Sequence, residues 1–119
     1  MLQACPSPDH VIRLPLGGGL CGAESERLLS TGAVELVRLV VPAGRRIPTH
    51  RAAGEITVQC LEGRVAFERE GGVRELLPGD LVHLCPQESH AVTAIEDASL
   101  LVTLVRPHPG ELPERLATP

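Results

Sequence analysis

Residues 44–67 read GRRIPTHRAAGEITVQCLEGRVAF, and this stretch decides the fold. Five residues separate Gly44 from His50, and a Gly-Glu pair follows shortly before a β-rich run. A turn at Glu62 and Gly63 then leads into a second strand-like run. Short β-branched runs separated by turn residues are typical of antiparallel β structure. The stretch therefore predicts strands joined by tight turns, with a histidine close to one of them.

A second stretch, residues 77–92, reads LPGDLVHLCPQESHAV and has the same organisation. It contains a turn, a short strand and then a histidine, His90. Asp80 follows a glycine in the turn, where an aspartate carboxylate accepts hydrogen bonds from backbone N–H groups. The two stretches together predict a small β-barrel with His50 and His90 near one mouth.

Strand-like runs separated by turn signals continue along the rest of the chain. The predicted strands are residues 11–16, 23–29, 34–41, 47–51, 55–61, 64–69, 73–77, 81–84, 90–95 and 99–105. Residues 23–29 also suit a helical turn, although the turn signal that follows them favours a strand. Regularly punctuated short strands indicate an all-β sandwich or barrel.

The length of 119 residues suits one domain. We expect a flexible tail over residues 1–10, the barrel over residues 11–106, and a proline-rich tail over residues 107–119 that is extended or disordered. Hydrophobic residues make up 43% of the chain, but it has one Phe and no Tyr or Trp. Leu, Val, Ile and Ala must therefore fill the interior.

The composition also excludes several classes of partner. A surface that stacks single-stranded nucleic acid needs aromatic side chains, which the chain lacks. The net charge of −4 opposes binding to a phosphate backbone. No apolar run approaches the roughly 20 residues that cross a bilayer, and residues 1–10 do not resemble a secretory signal. We therefore expect a cytoplasmic protein with no nucleic-acid or membrane partner.

The four cysteines form no Cys-x-x-Cys pair, which argues against a zinc knuckle or a thioredoxin-like motif. Cys60 and Cys85 lie within or beside apolar runs, where a reduced cysteine packs as a small hydrophobe. We expect all four to be thiols. His83 alternates with two apolar neighbours that face inward, so its side chain is predicted to face outward.

The two stretches resemble the motifs of the cupin superfamily. Its first motif is Gly, five residues, His-x-His, three or four residues, Glu, six residues and Gly; its second is a Gly-Asp turn, a short strand ending near a proline, and a histidine. The matching residues are Gly44, His50, Gly63, Gly79, Asp80, Pro86 and His90. The resemblance covers about residues 34–105. It implies a small single-domain conserved-barrel cupin, with an RmlC-like jelly roll or double-stranded β-helix, that pairs as a homodimer.

The first motif is incomplete in this chain. Ala52 occupies the second histidine position, or Arg51 if the register slips by one residue. Ile56 occupies the glutamate position, with Glu55 one residue away. Because strand side chains alternate, a one-residue shift decides whether the set beginning at Glu55 or the set beginning at Ile56 points into the barrel. The motif count leaves both registers open.

The resemblance implies a divalent metal site in which His50 and His90 are ligands and Glu55 or Gln59 completes the shell. Two imidazoles and an oxygen ligand suit Fe, Mn, Ni, Cu or Zn. The alternative is that the two histidines line a pocket without metal and bond to backbone or water. Residues 11–29 are expected at the homodimer interface, where they would cover exposed edges.

Three functions are compatible with this pattern. The first is a metal-dependent enzyme of the dioxygenase, isomerase or decarboxylase type. The second is a ligand module whose apolar cavity recognises a small organic molecule with little or no metal. The third is a non-catalytic scaffold or regulatory barrel. The incomplete first motif favours the ligand module over the enzyme as regards catalysis, but it does not decide whether metal binds. The fold alone cannot choose among the three functions, because it hosts many chemistries.

Overall fold

The computed structural model describes residues 11–14, 16, 20 and 23–107. Within these ranges the regular structure is entirely β, as the strand-like runs predicted. The strands are β1 (Glu26–Ser30), β2 (Val34–Val41), β3 (Arg46–His50), β4 (Ile56–Glu62), β5 (Val65–Arg69), β6 (Gly72–Leu76), β7 (Leu81–Leu84), β8 (His90–Ala94) and β9 (Ala98–Val105). No helix in the described ranges is long and apolar enough to cross a membrane.

The strands form two antiparallel sheets that share one core. The larger sheet has the order β1-β2-β9-β4-β7, and the smaller has the order β3-β8-β5-β6. Consecutive strands repeatedly pass from one sheet to the other, so strands distant in sequence become neighbours. This arrangement is the jelly roll that the strand pattern and the resemblance predicted.

The N-terminal part of the chain differs from the prediction. The described residues of the first predicted strand, 11–14 and 16, have no regular structure. The first strand is instead Glu26–Ser30, which pairs with β2 and confirms the strand interpretation of residues 23–29. The proposed tail of residues 1–10 lies outside the described residues, as does all of residues 107–119 except Pro107.

The register of β4 is decided by burial. Ile56, Val58 and Cys60 are buried between the sheets, whereas Thr57 and Gln59 alternate with them and face the other side of the larger sheet. Burying the set that begins at Ile56 removes more apolar surface from water than burying the set that begins at Glu55 would. The register beginning at Ile56 is therefore the one that the fold adopts.

Small aliphatic side chains and a single aromatic ring, that of Phe67, form the core. Cys60 is fully buried, and burial raises the pKa of its thiol, so it packs as the predicted small hydrophobe. Cys85 is exposed, which contradicts the expectation of a packed thiol, because β7 ends at Leu84 and Cys85 already belongs to the following loop. Cys60 and Cys85 are both free thiols.

Two turns depend on particular residues. The carboxylate of Asp80 accepts a hydrogen bond from the backbone N–H of Leu77 at 2.9 Å, which confirms its predicted role. Gly63 has a φ of +80°, and a methyl group there would overlap the carbonyl oxygen of Asp97. Only glycine relieves both constraints, since it has no Cβ.

Candidate functional site

His50 and His90 meet at one end of the smaller sheet. His50 is the last residue of β3 and His90 is the first of β8, and the two are paired in the ladder that joins these strands. Their ring centroids lie 4.2 Å apart, with an angle of 59° between the planes. His50 is exposed and His90 is buried, so the pair extends from the surface toward the interior.

A backbone carbonyl fixes the tautomer of each ring. The Nδ1 atom of His50 lies 2.9 Å from the carbonyl oxygen of Pro48, and that of His90 lies 3.1 Å from the carbonyl oxygen of Glu88. A carbonyl oxygen only accepts hydrogen bonds, so Nδ1 carries the proton in both rings. In the neutral rings each Nε2 is consequently an unprotonated acceptor.

The surroundings of His90 favour the neutral ring. The residue is only 4% exposed, and its ring stacks on Phe67 with centroids 5.8 Å apart and planes 9° from parallel. Burial lowers the pKa of His90, and the nearby His50 lowers it further, while the hydrogen bond to Glu88 opposes the change. At neutral pH the ring of His90 is thus uncharged and acts as an acceptor.

Both histidines line an apolar cavity of about 300 Å³ between the sheets. The rest of its lining is aliphatic, contributed by β2, β3, β4, β8, β9 and the segment after β3, together with Phe67. Among the described residues, His50 and His90 are therefore the polar side chains of this cavity. Its volume is at the lower end of the range for small-molecule sites.

The loop that precedes His90 is held by an ion pair. Arg69 on β5 donates from Nε to Glu88 Oε2 at 2.8 Å, and the other carboxylate oxygen of Glu88 accepts from the backbone N–H of Cys85 at 2.9 Å. The N–H of Cys85 is also the main reason that the pKa of Glu88 is lowered. The N–H of Gln87 donates to the carbonyl of Ala52 at 2.8 Å, which ties this loop to the segment after His50.

Sequence reasoning missed this arrangement. The only signal in the sequence is that Glu88 lies two residues before His90. Its partner Arg69 is distant in sequence and comes close to it because β5 pairs with β8. We call the contacts of Arg69, Glu88 and Cys85 the loop clamp. Its position next to His90 makes it a support for the site.

A second, polar hollow of about 490 Å³ lies on the other side of His90. Charged side chains line it, including Arg69 and Glu88 of the loop clamp and Glu68, which pairs with Arg46. Arg69 and Glu88 pair with each other, whereas the partner of Glu68 lies outside the hollow. His50 does not contribute to this lining, while the apolar cavity includes both histidines. The apolar cavity is therefore the better candidate for a binding site.

The structure does not bring Glu55 and Gln59 to the two histidines. Glu55 Oε1 lies 2.8 Å from Nε2 of His83, whose side chain is 53% exposed, and this confirms that His83 faces outward. Gln59 lies between Leu81 and Leu101 in the larger sheet, on the face opposite the cavity. The cause is the register of β4, which directs Ile56 and Val58 inward instead.

The donor set does not fit a resident transition-metal ion. Catalytic zinc sites use three protein ligands and structural sites use four. The described residues contain no group of three or more His, Cys, Asp or Glu side chains that could hold an ion. Two imidazoles remain, surrounded by aliphatic walls that provide no oxygen or sulfur ligand.

Comparisons with known proteins agree with the architecture. The family model described as cupin domain matches residues 37–106 of the chain. No curated protein sequence matches. The family match begins in β2 and ends just after β9, so it spans both histidines and the cavity.

Several solved structures have a similar fold. An RmlC-like cupin family protein with a double-stranded β-helix fold from Methanocaldococcus jannaschii is 18% identical over 90% of this chain and 98% of its own, with a TM-score of 0.69. A cupin superfamily protein from Desulfitobacterium hafniense is 14% identical over 90% and 99%, with a TM-score of 0.68. KdgF from Halomonas sp. is 21% identical over 74% and 82%, with a TM-score of 0.63. At these identities the likeness shows the fold alone.

Proposed function

The chain belongs to the cupin domain family, and from this premise we propose that it binds a small, largely apolar organic molecule in the cavity between its sheets. The observation that carries the proposal is an apolar cavity with two imidazole acceptors on its wall. Apolar walls favour binding through the removal of apolar surface from water, and the few polar groups orient the ligand.

The cavity volume limits the size of the ligand. An apolar cavity of about 150 Å³ is enough to hold benzene. A volume of about 300 Å³ therefore suits one ring with short substituents, or an aliphatic molecule of similar size. His50 both lines the cavity and is exposed, so we expect the ligand to enter beside that residue.

The residues that line the cavity support binding more than catalysis. General acid–base and nucleophilic mechanisms use a second group to activate or orient the first. Among the described residues, the lining provides no carboxylate, hydroxyl or thiol beside the two histidines. A pure scaffold is also disfavoured, because a barrel with only a structural role gains stability from a filled core.

Two leucines on β9 provide a matched test. Leu104 lies opposite Ile56 and lines the cavity, whereas Leu101 lies opposite Gln59 on the other face of the sheet. We expect single-ring apolar compounds to stabilise the wild type, by about 2.7 kcal/mol when the ligand is at 100 times its Kd. Leu104→Phe should remove this effect by filling the cavity, and Leu101→Phe should retain it.

Thermal-shift and calorimetric titrations with a panel of single-ring and aliphatic compounds measure the effect. Two results would overturn the proposal. One is that no compound of this size stabilises the wild-type protein. The other is that Leu104→Phe binds the compounds as tightly as the wild type does.

A further inference from the structure

We infer that the cavity selects an uncharged ligand that donates a hydrogen bond, such as an alcoholic or phenolic hydroxyl on an apolar body, and rejects the corresponding carboxylate. This inference rests on the proposed binding function and specifies the chemical class of the ligand. It follows from which ring nitrogens the two histidines leave available and from what else lines the cavity.

The hydrogen bonds of His50 and His90 leave each neutral ring with an acceptor for a ligand. Pro48 and Glu88 accept the Nδ1 protons of His50 and His90 at 2.9 and 3.1 Å, so each neutral ring retains one lone pair, on Nε2. Nε2 lies on the side of the ring away from the carbonyl that holds Nδ1. A ligand that meets these atoms must bring the proton itself, because an acceptor facing an acceptor is repulsive.

The described lining of the cavity offers no cationic side chain to a carboxylate ligand. Among the described residues that line the cavity, none is an arginine or a lysine. Arg69 lies near His90, but it is paired with Glu88 and donates to the carbonyl of His83 at 3.0 Å. A carboxylate entering the cavity would lose its hydration without gaining a cation, which is strongly unfavourable.

The burial of His90 disfavours charge at this end of the cavity. His90 is only 4% exposed, and its ring stacks on Phe67 with centroids 5.8 Å apart. A charged ligand beside it would be poorly solvated. A neutral hydroxyl can donate to an imidazole acceptor on this wall without bringing a charge into apolar surroundings.

Three ligands that share one ring separate the possibilities: phenol, toluene and benzoate. We expect phenol to bind at least about fivefold more tightly than toluene, because the hydroxyl donates to an imidazole acceptor on the cavity wall. Transfer from water alone would give the opposite order, because toluene leaves water more readily than phenol does. Benzoate should bind more weakly than either. Isothermal titration at neutral pH measures all three affinities.

Variants assign the preference to the two rings. In His50→Leu and in His90→Leu the ratio of the affinity for phenol to the affinity for toluene should fall. His83→Leu is the control, because His83 is on the outer face with Glu55 and does not line the cavity. The preference in this variant should equal that of the wild type.

The outcomes distinguish the inference from the function on which it rests. Equal binding of phenol and toluene, or tighter binding of benzoate, overturns the inference and leaves the binding function intact. Failure of all uncharged ligands of this size overturns both. Long-range ¹H–¹⁵N spectra of the wild type test the tautomers directly, even where a variant fails to fold. A proton on Nε2 of both rings would overturn the inference.

Discussion

At the scale of single residues, His90 has surroundings that differ strongly from water. It is buried, it stacks on Phe67, and its Nδ1 proton is held by its own loop. Burial favours the neutral ring, and the hydrogen bond to the Glu88 carbonyl selects the tautomer although it works against the effect of burial on the pKa. The ring is therefore a fixed acceptor at neutral pH.

The lowered pKa of His90 predicts how stability depends on pH. Its ordinary pKa is 6.5, and burial lowers the value in the folded state. As the pH falls through 6.5, the unfolded chain takes up a proton that the folded chain does not, so the free energy of unfolding decreases toward the folded pKa. We expect urea unfolding to show a larger loss between about pH 7.5 and pH 5.5 in the wild type than in His90→Gln.

Other charged groups near His90 set the limits of this test. His50, Arg69 and Glu88 all influence it, and the pKa of Glu88 is lowered from 4.5, so Glu88 titrates below the chosen window. The comparison with His90→Gln leaves these groups in place. An identical pH dependence in the two proteins would contradict the assignment.

The positions of the two histidines could be predicted from the sequence, but the register of β4 could not. The spacing of His50 and His90 from their turns was sufficient to predict that both approach one mouth of the barrel. The motif count left Glu55 and Ile56 as alternatives, because one residue changes the face of a strand. The aliphatic character of Ile56, Val58 and Cys60 is the better guide, since burial of apolar surface sets the register.

At the scale of elements, the turn between β4 and β5 is a strict requirement of the fold. Gly63→Ala combines a left-handed backbone with an overlap against the Asp97 carbonyl. We expect a loss of about 3 kcal/mol or more in the free energy of unfolding. Gly44 has a φ of +83° but nothing within 4 Å of an added methyl group, so Gly44→Ala should lose only about 1–2 kcal/mol.

Chemical denaturation of the two variants measures the difference. The pair isolates close packing from backbone strain, because both positions have a positive φ. Equal losses would mean that the turn at Gly63 moves away from Asp97 without resistance. A larger loss in Gly63→Ala would show that β4, β5 and the start of β9 are held at a fixed distance.

The loop clamp is the element that supports the candidate site. Arg69→Met removes the hydrogen bonds that the Arg69 guanidinium donates to Glu88, in the loop before His90, and to the carbonyl of His83. We expect ligand affinity to fall severalfold, while the free energy of unfolding falls by about 1 kcal/mol, because the pair is only partly buried. Calorimetric titration and urea unfolding measure the two effects.

Arg46→Met is the matched control for the clamp. Arg46 pairs with Glu68 at 3.4 Å in the same sheet, and both side chains are more exposed than those of the clamp. Its replacement should change stability by no more than about 0.5 kcal/mol and leave ligand affinity unchanged. A loss of affinity in Arg46→Met equal to that in Arg69→Met would assign the effect to net charge instead of the loop.

At the scale of the whole molecule, the cavity lies in a barrel that has few large side chains. The chain has one Phe and no Tyr or Trp, and Phe67 belongs both to the core and to the lining of the cavity. The sequence predicts that Leu, Val, Ile and Ala fill the interior. It does not reveal where they leave space, because that depends on how far apart the two sheets are held. The expected homodimer stays a prediction that light scattering can test.

The metal content of the intact protein gives the last prediction. Zinc sites use three or four protein ligands, and among the described residues no third His, Cys, Asp or Glu side chain joins His50 and His90. We expect untagged protein, purified without chelator and passed through a desalting column after exposure to Fe(II), Mn, Ni, Cu or Zn, to retain less than about a tenth of an equivalent. Elemental analysis measures this value. Retention of a full equivalent that is lost in both His50→Leu and His90→Leu would contradict the argument from the donor set. In that case the two histidines would be part of a metal centre completed by water or ligand. A preference for phenol over toluene would then need a cause other than the imidazole acceptors.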